Sequence, residues 1–123
     1  MYFLDSEGRS PPYLEWNMKL WWPHCEALIA YAMLYSHYKK DIDGLKISKS
    51  EEYFERFKII AKYTLEHFSD SPKFSSSNGG PGLGEWYGYL DQSGLKTHRF
   101  KGGPYKGCFH VPRCLFLVAK LLS

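Results

Sequence analysis

The stretch KGGPYKGCFHVPRCLFLVAKLL, residues Lys101 to Leu122, is the part of the sequence that most directly indicates a fold and a site. Its first half predicts a glycine-rich turn that a proline stiffens. Its second half predicts an apolar helix that begins near Pro112, because proline fits the first turn of a helix without losing a hydrogen bond. The glycine-rich segment therefore places His110 at the N-terminus of this helix and Arg113 inside its first helical turn. An arginine opposes the helix dipole there, which indicates a role other than helix stability.

A second segment, WWPHCEA from Trp21 to Ala27, has the same arrangement of residues. Pro23 again predicts the first turn of a helix, with His24 and Glu26 just after it. Two junctions of this kind in one short chain make both histidines, Glu26 and Arg113 candidate site residues. The alternative is that each histidine only packs in the core or caps its helix.

The rest of the sequence predicts a mainly α chain with a β-hairpin between its helices. Residues 70–84 are rich in Ser and Gly, which predicts a flexible loop or an insertion. The predicted elements are, in order, a strand at Met1–Leu4, a helix at Pro23–Lys39, a helix from Ser48 or Ser50 to Phe68, hairpin strands at 85–90 and 95–100, and a helix from Pro112 to the end.

Aromatic residues make up 18% of the 123 residues, which is heavy for so short a chain. A small domain has a limited interior, and several of the rings fall in predicted loops. Such rings suit a sugar-binding cleft, since the apolar face of a pyranose stacks on an aromatic plane. Trp21, Trp22 and Trp86 are therefore candidate cleft walls, with core packing as the alternative for each.

The charge and cysteine patterns argue against several classes of function. The net charge is only +3 and the basic residues are scattered, which argues against a nucleic-acid partner. Three cysteines without a CxxC pair indicate free thiols in a reducing compartment, and their spacing to His110 does not fit a zinc site. There is no recognisable leader peptide and no apolar run long enough to span a membrane, so we expect a cytoplasmic protein without a membrane partner.

The last predicted helix is apolar on nearly every side. A helix of this kind is normally buried on several sides, and this chain supplies few elements that could pack against it. Three motifs then carry a resemblance: LEWNMKLWWPHCEALIA at 14–30, GEWYGYLDQSG at 84–94 and KGGPYKGCFHVPRCL at 101–115. In this order they resemble the C-terminal part of the N-acylglucosamine 2-epimerase family, also known as renin-binding proteins. The resemblance departs at 72–83, which looks longer and richer in Ser and Gly than the family's link. It implies that residues 1–123 are a C-terminal fragment of a single (α/α)6-barrel domain.

The resemblance also implies an isomerase that interconverts N-acetylglucosamine and N-acetylmannosamine, within amino-sugar and sialic acid metabolism. A base removes the proton at C2 of the open-chain sugar, and an acid returns one to the other face. His110 matches one of two histidines that share this work, while the other belongs to an upstream GHxxE-type motif that this sequence lacks. Glu26 and Arg113 match residues that line the family's cleft, and we expect His24 and Trp22 to contribute to substrate binding. We expect this chain alone to be inactive.

The chemistry itself calls for no cofactor or metal, but the resemblance implies activation by ATP or other nucleotides. The expected partners are an amino-sugar substrate and a second copy of the chain, to which the resemblance adds renin. Two alternatives remain open. One is another epimerase or isomerase of the same barrel family, such as a cellobiose epimerase or a mannose isomerase, and the other is a non-catalytic binding fragment.

Overall fold

The computed structural model describes residues 14–40, 44–70 and 84–123, which form three helices and two very short strands. The prediction of a mainly α chain is confirmed. The predicted strand at Met1–Leu4 and residues 71–83 of the predicted loop lie outside the described residues. The elements are, in order, a 3₁₀ turn at Leu14–Asn17, strand β1 at Lys19–Leu20, helix α1 at Trp21–Lys39, helix α2 at Gly44–His67, strand β2 at Tyr89–Leu90 and helix α3 at His110–Leu122.

Helices α1 and α2 pack as an antiparallel pair through aromatic rings. Near the end of α1, Tyr35 stacks on Phe54 from the first half of α2, with ring centroids 4.7 Å apart. At the other end of the pair, the ring of His24 lies 5.9 Å from that of Tyr63, near the end of α2. Short connections hold consecutive helices antiparallel in this way. Helix α3 then packs against α1 of this pair.

Both proline-led helices begin two residues before the proline that predicted them. Helix α1 begins at Trp21 and α3 at His110, so Pro23 and Pro112 each occupy the third helical position. The first four N–H groups of a helix have no partner within it, so a proline there removes no hydrogen bond. The N–H of Trp21 instead donates to the carbonyl of Gly88 at 3.1 Å, which ties the start of α1 to the sheet.

The first turns of α1 and α3 meet in the core through two cysteines. Cys25 and Cys114 are fully buried free thiols. The hydrogen bond between them, together with burial, raises the pKa of Cys25, so this thiol stays protonated at neutral pH. Each cysteine is the fifth residue of its helix. Their contact therefore brings the residues next to them, Glu26 and Arg113, close together.

Strand β2 pairs mainly with β1, and the predicted β-hairpin forms only in part, through one antiparallel bridge and two backbone hydrogen bonds between residues 89–91 and 95–97. Lys19 lies opposite Leu90 and Leu20 opposite Tyr89 in an antiparallel register. The downstream half of the predicted hairpin contributes a single isolated bridge, between Leu90 and Lys96. A segment far upstream in the sequence therefore supplies the strand that the local pattern assigned to the next segment.

The turn of the predicted hairpin does form, but the chain leaves the sheet soon after it. The carboxylate of Asp91 accepts the N–H found four residues later at 2.9 Å, and Gly94 adopts a φ of 91°, which suits glycine. The rings of His98 and Phe100 then pack on Tyr89, with centroids 5.1 and 5.8 Å from it. Because residues 98–100 cover this ring, the chain turns away from the sheet and does not form a second paired strand there.

Helix α3 buries one side and exposes apolar residues on the other. Val111 and Cys114 are buried, whereas within the described part of the chain Leu115 is 48% and Phe116 is 68% exposed. These exposed apolar side chains agree with the prediction that this chain supplies too few elements to cover the helix. None of the helices in the described ranges combines the length and the apolar content needed to span a bilayer.

Candidate active site

A carboxylate from α1 bridges two side chains of α3. Oε1 of Glu26 accepts a hydrogen bond from Nη1 of Arg113 at 2.6 Å and lies 3.0 Å from Nδ1 of His110. His110 and Arg113 are three residues apart, so they lie on the same face of α3. The structure therefore brings three of the sequence-predicted site residues into one hydrogen-bonded group.

The carboxylate explains why an arginine is tolerated in the first turn of α3. A positive charge is unfavourable there because the helix dipole already places partial positive charge at the N-terminus. The carboxylate of Glu26 compensates for it through a charge-assisted hydrogen bond, which is stronger than a neutral one. A tertiary contact, and not the helix itself, thus stabilises Arg113 in this position.

Glu26 also determines which nitrogen of His110 carries a proton. Hydrogen bonds from Arg113, and then from His110, lower the pKa of the Glu26 carboxyl below its ordinary value. An ionised carboxylate can only accept hydrogen bonds, so the proton between the two groups belongs to Nδ1. Neutral His110 then carries its lone pair on Nε2, the atom that would act as a general base.

His110 lines an open cleft of about 530 Å³. This volume falls within the range of small-molecule sites, about 300–1,000 Å³. Trp22 forms an adjacent wall, 44% exposed, with its ring centroid 6.1 Å from that of His110. The cleft is therefore bordered by a wide aromatic surface and by one imidazole. The other lining residues are Glu15, Leu20, Trp21, Tyr89 and Tyr105.

His24 does not line this cleft. Its Nδ1–H donates to the carbonyl of Leu20 at 2.7 Å, and its ring packs on Phe68 with centroids 4.7 Å apart. Burial lowers the pKa of His24, which keeps the ring neutral. Two positions separate it from Glu26, about 200° around the helix, so the two side chains leave α1 on opposite sides. The structure places His24 in the packing against α2.

Two lysines hold the glycine-rich turn that leads to His110. Nζ of Lys106 donates to Oε1 of Glu85 at 3.0 Å and to the carbonyl of Lys101 at 2.7 Å, and its side chain is only 3% exposed. Nζ of Lys101 in turn lies 2.5 Å from Oδ2 of Asp70. Within this turn no helix or strand fixes the backbone, so these ion pairs anchor the segment that precedes α3.

Four cleft residues escaped the sequence reasoning, namely Glu15, Leu20, Tyr89 and Tyr105. The sequence did carry a signal that could have identified Tyr105 as a cleft residue, because core packing poorly explains an aromatic residue within a glycine-rich turn. The sequence carries no local signal for Glu15 and Tyr89, because the pairing of β1 with β2 brings them to the cleft. Conversely, Trp86 was a candidate wall but is 3% exposed and does not line the cleft.

The arrangement supplies a base that lines the cleft and a cation bound to the same carboxylate as that base, although Glu26 and Arg113 are not themselves among the residues that line the cleft. His110 can accept a proton at Nε2, and Arg113 can stabilise negative charge that develops on a bound oxygen. Within residues 14–40, 44–70 and 84–123, no group of three or more His, Cys, Asp or Glu side chains could hold a metal ion.

Curated relatives match the chain along nearly its whole length. It is 45% identical over 122 residues to an N-acylglucosamine 2-epimerase of Mus musculus. Proteins with the same name from Rattus norvegicus and Homo sapiens are 43% and 42% identical to it. The match covers 99% of this chain and 24% of each relative, so the chain spans about a quarter of the length of the relatives it matches. No family model matches the chain.

These relatives correct the implied activation by ATP. Their names state an epimerase and no nucleotide. The described residues that line the cleft include no arginine or lysine, and Glu15 adds a carboxylate. A triphosphate would meet no guanidinium or ammonium group among these lining residues. We therefore assign no nucleotide to the cleft.

Proposed function

We propose, from the family resemblance that these relatives confirm, that this chain supplies part of the active site of an N-acylglucosamine 2-epimerase. The observation that carries the proposal is the carboxylate of Glu26, which His110 and Arg113 share beside an open cleft. The reaction is the interconversion of N-acetylglucosamine and N-acetylmannosamine. It removes the proton at C2 of the open-chain sugar and returns one to the opposite face.

His110 is the proton-transfer residue of this proposal. A proton α to a carbonyl needs a base that works near neutral pH, and an imidazole meets that need. The hydrogen bond to Glu26 holds the proton on Nδ1 and leaves Nε2 to take the C2 proton. When Nε2 is protonated the ring becomes an imidazolium, whose charge the adjacent carboxylate stabilises.

Arg113 stabilises the negative charge of the enediolate that proton removal creates. The hydrogen bond to Glu26 uses Nη1, and no hydrogen bond among the described residues uses Nη2 or Nε, while the guanidinium lies over the ring of Phe109. Those donors can bind the oxygen that becomes negatively charged. Because Glu26 anchors the guanidinium, these donors are held in place before the reaction begins.

The second proton-transfer group comes from outside this chain. One imidazole cannot reach both faces of the C2 carbon, so inversion needs a donor on the opposite side of the sugar. The family resemblance attributes that role to a histidine in a motif that this sequence lacks. The whole site would then lie in an (α/α)6 barrel, of which this chain provides the helices that carry Glu26, His110 and Arg113.

Trp22 is the aromatic wall that positions the sugar. Its exposed ring stands beside His110, so a sugar stacked on it would lie close to the base. The wider setting of the proposal is a cytoplasmic enzyme of amino-sugar and sialic acid metabolism that forms a homodimer. Renin stays a proposed partner through the resemblance alone.

A chimera tests the proposed function. In it, this chain replaces the matching residues of the mouse relative, and exchange of the C2 proton of N-acetylglucosamine with deuterated solvent is followed by NMR. We expect His110→Asn to lower the exchange rate by roughly 10²-fold or more, the usual scale of general acid–base catalysis. The matched control is His24→Asn, which changes a histidine of the same chain outside the cleft.

The outcomes separate the proposal from its alternatives. Near-normal exchange in the His110→Asn chimera, with its circular dichroism unchanged, would overturn the role of His110. A chimera that acts on mannose or cellobiose but not on N-acetylglucosamine would favour another enzyme of the same barrel family. A correctly folded chimera without exchange on any of these sugars would favour the non-catalytic alternative.

A further inference from the structure

The cleft beside His110 carries a carboxylate that no basic side chain of the described residues neutralises. Glu15 lines the cleft, and within residues 14–40, 44–70 and 84–123 its side chain forms no ion pair and no hydrogen bond. The remaining lining residues, His110 apart, are aromatic or aliphatic. The part of the cleft that this chain supplies therefore presents a negative charge on an otherwise largely apolar wall.

A short turn and the sheet hold Glu15 at the cleft. Glu15 belongs to the 3₁₀ turn at Leu14–Asn17, and its carbonyl accepts the N–H of Met18 at 3.0 Å. Burial, and then the charge of Glu15, raise the pKa of the Tyr89 hydroxyl above its ordinary value, which agrees with a carboxylate close to this tyrosine. Tyr89 belongs to β2 and lines the same cleft. The charge of Glu15 is thus a fixed feature of the wall.

The basic side chains near the lining residues in the sequence bind other groups. The pairs are Arg113 with Glu26, Lys106 with Glu85, Lys101 with Asp70, and Lys19 with the hydroxyl of Tyr63. None of these four basic side chains lines the cleft. An anionic group that enters the cleft therefore meets repulsion from Glu15, and no guanidinium or ammonium among the described lining residues compensates for it.

We propose that Glu15 determines the charge selectivity of the cleft, because it repels ligands that carry a phosphate or carboxylate group and favours neutral or cationic ones. The inference rests on the proposed function and adds a specificity-determining residue to it. A cavity of about 530 Å³ is about 10 Å across if taken as a sphere, close to the Debye length of about 8 Å at physiological ionic strength. An acidic group anywhere on a bound sugar thus stays within range of the carboxylate.

A matched set of ligands separates the charge of Glu15 from its shape. N-acetylglucosamine has a neutral hydroxyl at C6, its 6-phosphate carries about two negative charges, and 6-amino-6-deoxy-N-acetylglucosamine carries one positive charge. Coulomb energies scale with the product of the charges. At about 8 Å and an effective dielectric constant of about 60, Glu15 strengthens binding of the ammonium by about threefold and weakens binding of the phosphate by about tenfold.

The test measures how the two charged sugars inhibit C2 proton exchange on N-acetylglucosamine, in the chimera with the mouse relative. We expect Glu15→Gln to lower the inhibition constant of the 6-phosphate by about tenfold and to raise that of the 6-amino sugar by about threefold. KM for the neutral substrate should change less than either constant, because glutamine keeps an oxygen that accepts hydrogen bonds. Glu66→Gln removes an exposed carboxylate of α2 and is the matched control.

Two further measurements keep the role of Glu15 testable if Glu15→Gln does not fold. Glu15→Asp retains the charge and should retain the discrimination between the two charged sugars. In the unsubstituted chimera, salt at about 1 M should bring the two inhibition constants closer together, because the Debye length falls to about 3 Å.

The outcomes distinguish this inference from the proposed function. Inhibition constants that are the same in Glu15→Gln and Glu66→Gln, or that move in the same direction for both charged sugars, would overturn the role of Glu15. Constants that do not respond to salt in the unsubstituted chimera would overturn it as well. All of these results leave the epimerase proposal intact. A folded chimera without C2 exchange on N-acetylglucosamine would instead overturn the proposed function.

Discussion

Replacing Glu26 by glutamine separates its electrostatic role from its shape. The amide keeps an oxygen that can accept hydrogen bonds, but the negative charge that stabilises the imidazolium of His110 is lost. Over the 3.0 Å between the two groups, Coulomb's law gives about 5.5 kcal/mol at an effective dielectric constant of about 20. The Glu26 side chain is 38% exposed, so we take about half of this value. Roughly 2.7 kcal/mol corresponds to a rate loss of about 10²-fold.

The same substitution should change the stability of the fold very little. Partly exposed ion pairs contribute about 1 kcal/mol or less to folding. The assay is C2 proton exchange in the chimera with the mouse relative, with denaturant unfolding measured in parallel. Glu66→Gln, on the exposed face of α2, is the control for removing one carboxylate. A Glu26→Gln rate equal to that of Glu66→Gln would refute the reasoning, as would a loss of activity that only follows a loss of fold.

Three further predictions concern stability, pH and the isolated chain. Gly94→Ala should destabilise the fold by about 1–3 kcal/mol in thermal unfolding, because φ is 91° and a Cβ would lie 2.8 Å from Nδ1 of His67. Gly107→Ala, where a Cβ meets no atom within 4 Å, is its control. The lowered pKa of Glu26 means that its contribution to stability is present above pH 4.5 and is lost as pH falls below it, so the difference between the parent and Glu26→Gln in unfolding scans should vanish in acid. The 123-residue chain alone should form no N-acetylmannosamine; formation that His110→Asn abolishes would contradict this.

The helices were predictable from the sequence because their signals are local. Proline in the first turn and an apolar face every three or four residues are enough to place α1 and α3 within two residues of their observed starts. The start of α2 at Gly44 lies ahead of both predicted serine caps, since capping preferences are weak compared with helix packing. Its end at His67 is one residue from the prediction.

The pairing of the strands was not predictable in the same way. A turn signal at residues 91–94 favours a hairpin, and that turn does form. Which strand lies beside β2 depends on where α1 and its preceding residues pack, and this information is spread over some 70 positions of the chain. Glu15 and Tyr89 reach the cleft through that pairing, so no local pattern pointed to them.

The sequence by itself determined the types of residue that carry the chemistry and their positions at the starts of two helices. His110 and Arg113 share one face of α3 because they are three residues apart, and that follows from helix geometry alone. Only the tertiary structure decided that Glu26 joins them while His24, two residues away on the same helix, does not. The two side chains leave α1 on opposite sides, and the sequence does not say which side faces α3. Packing decides it, because Cys25 and Cys114 are both buried in the core where α1 packs on α3, and Glu26 and Arg113 stand next to them in the sequence.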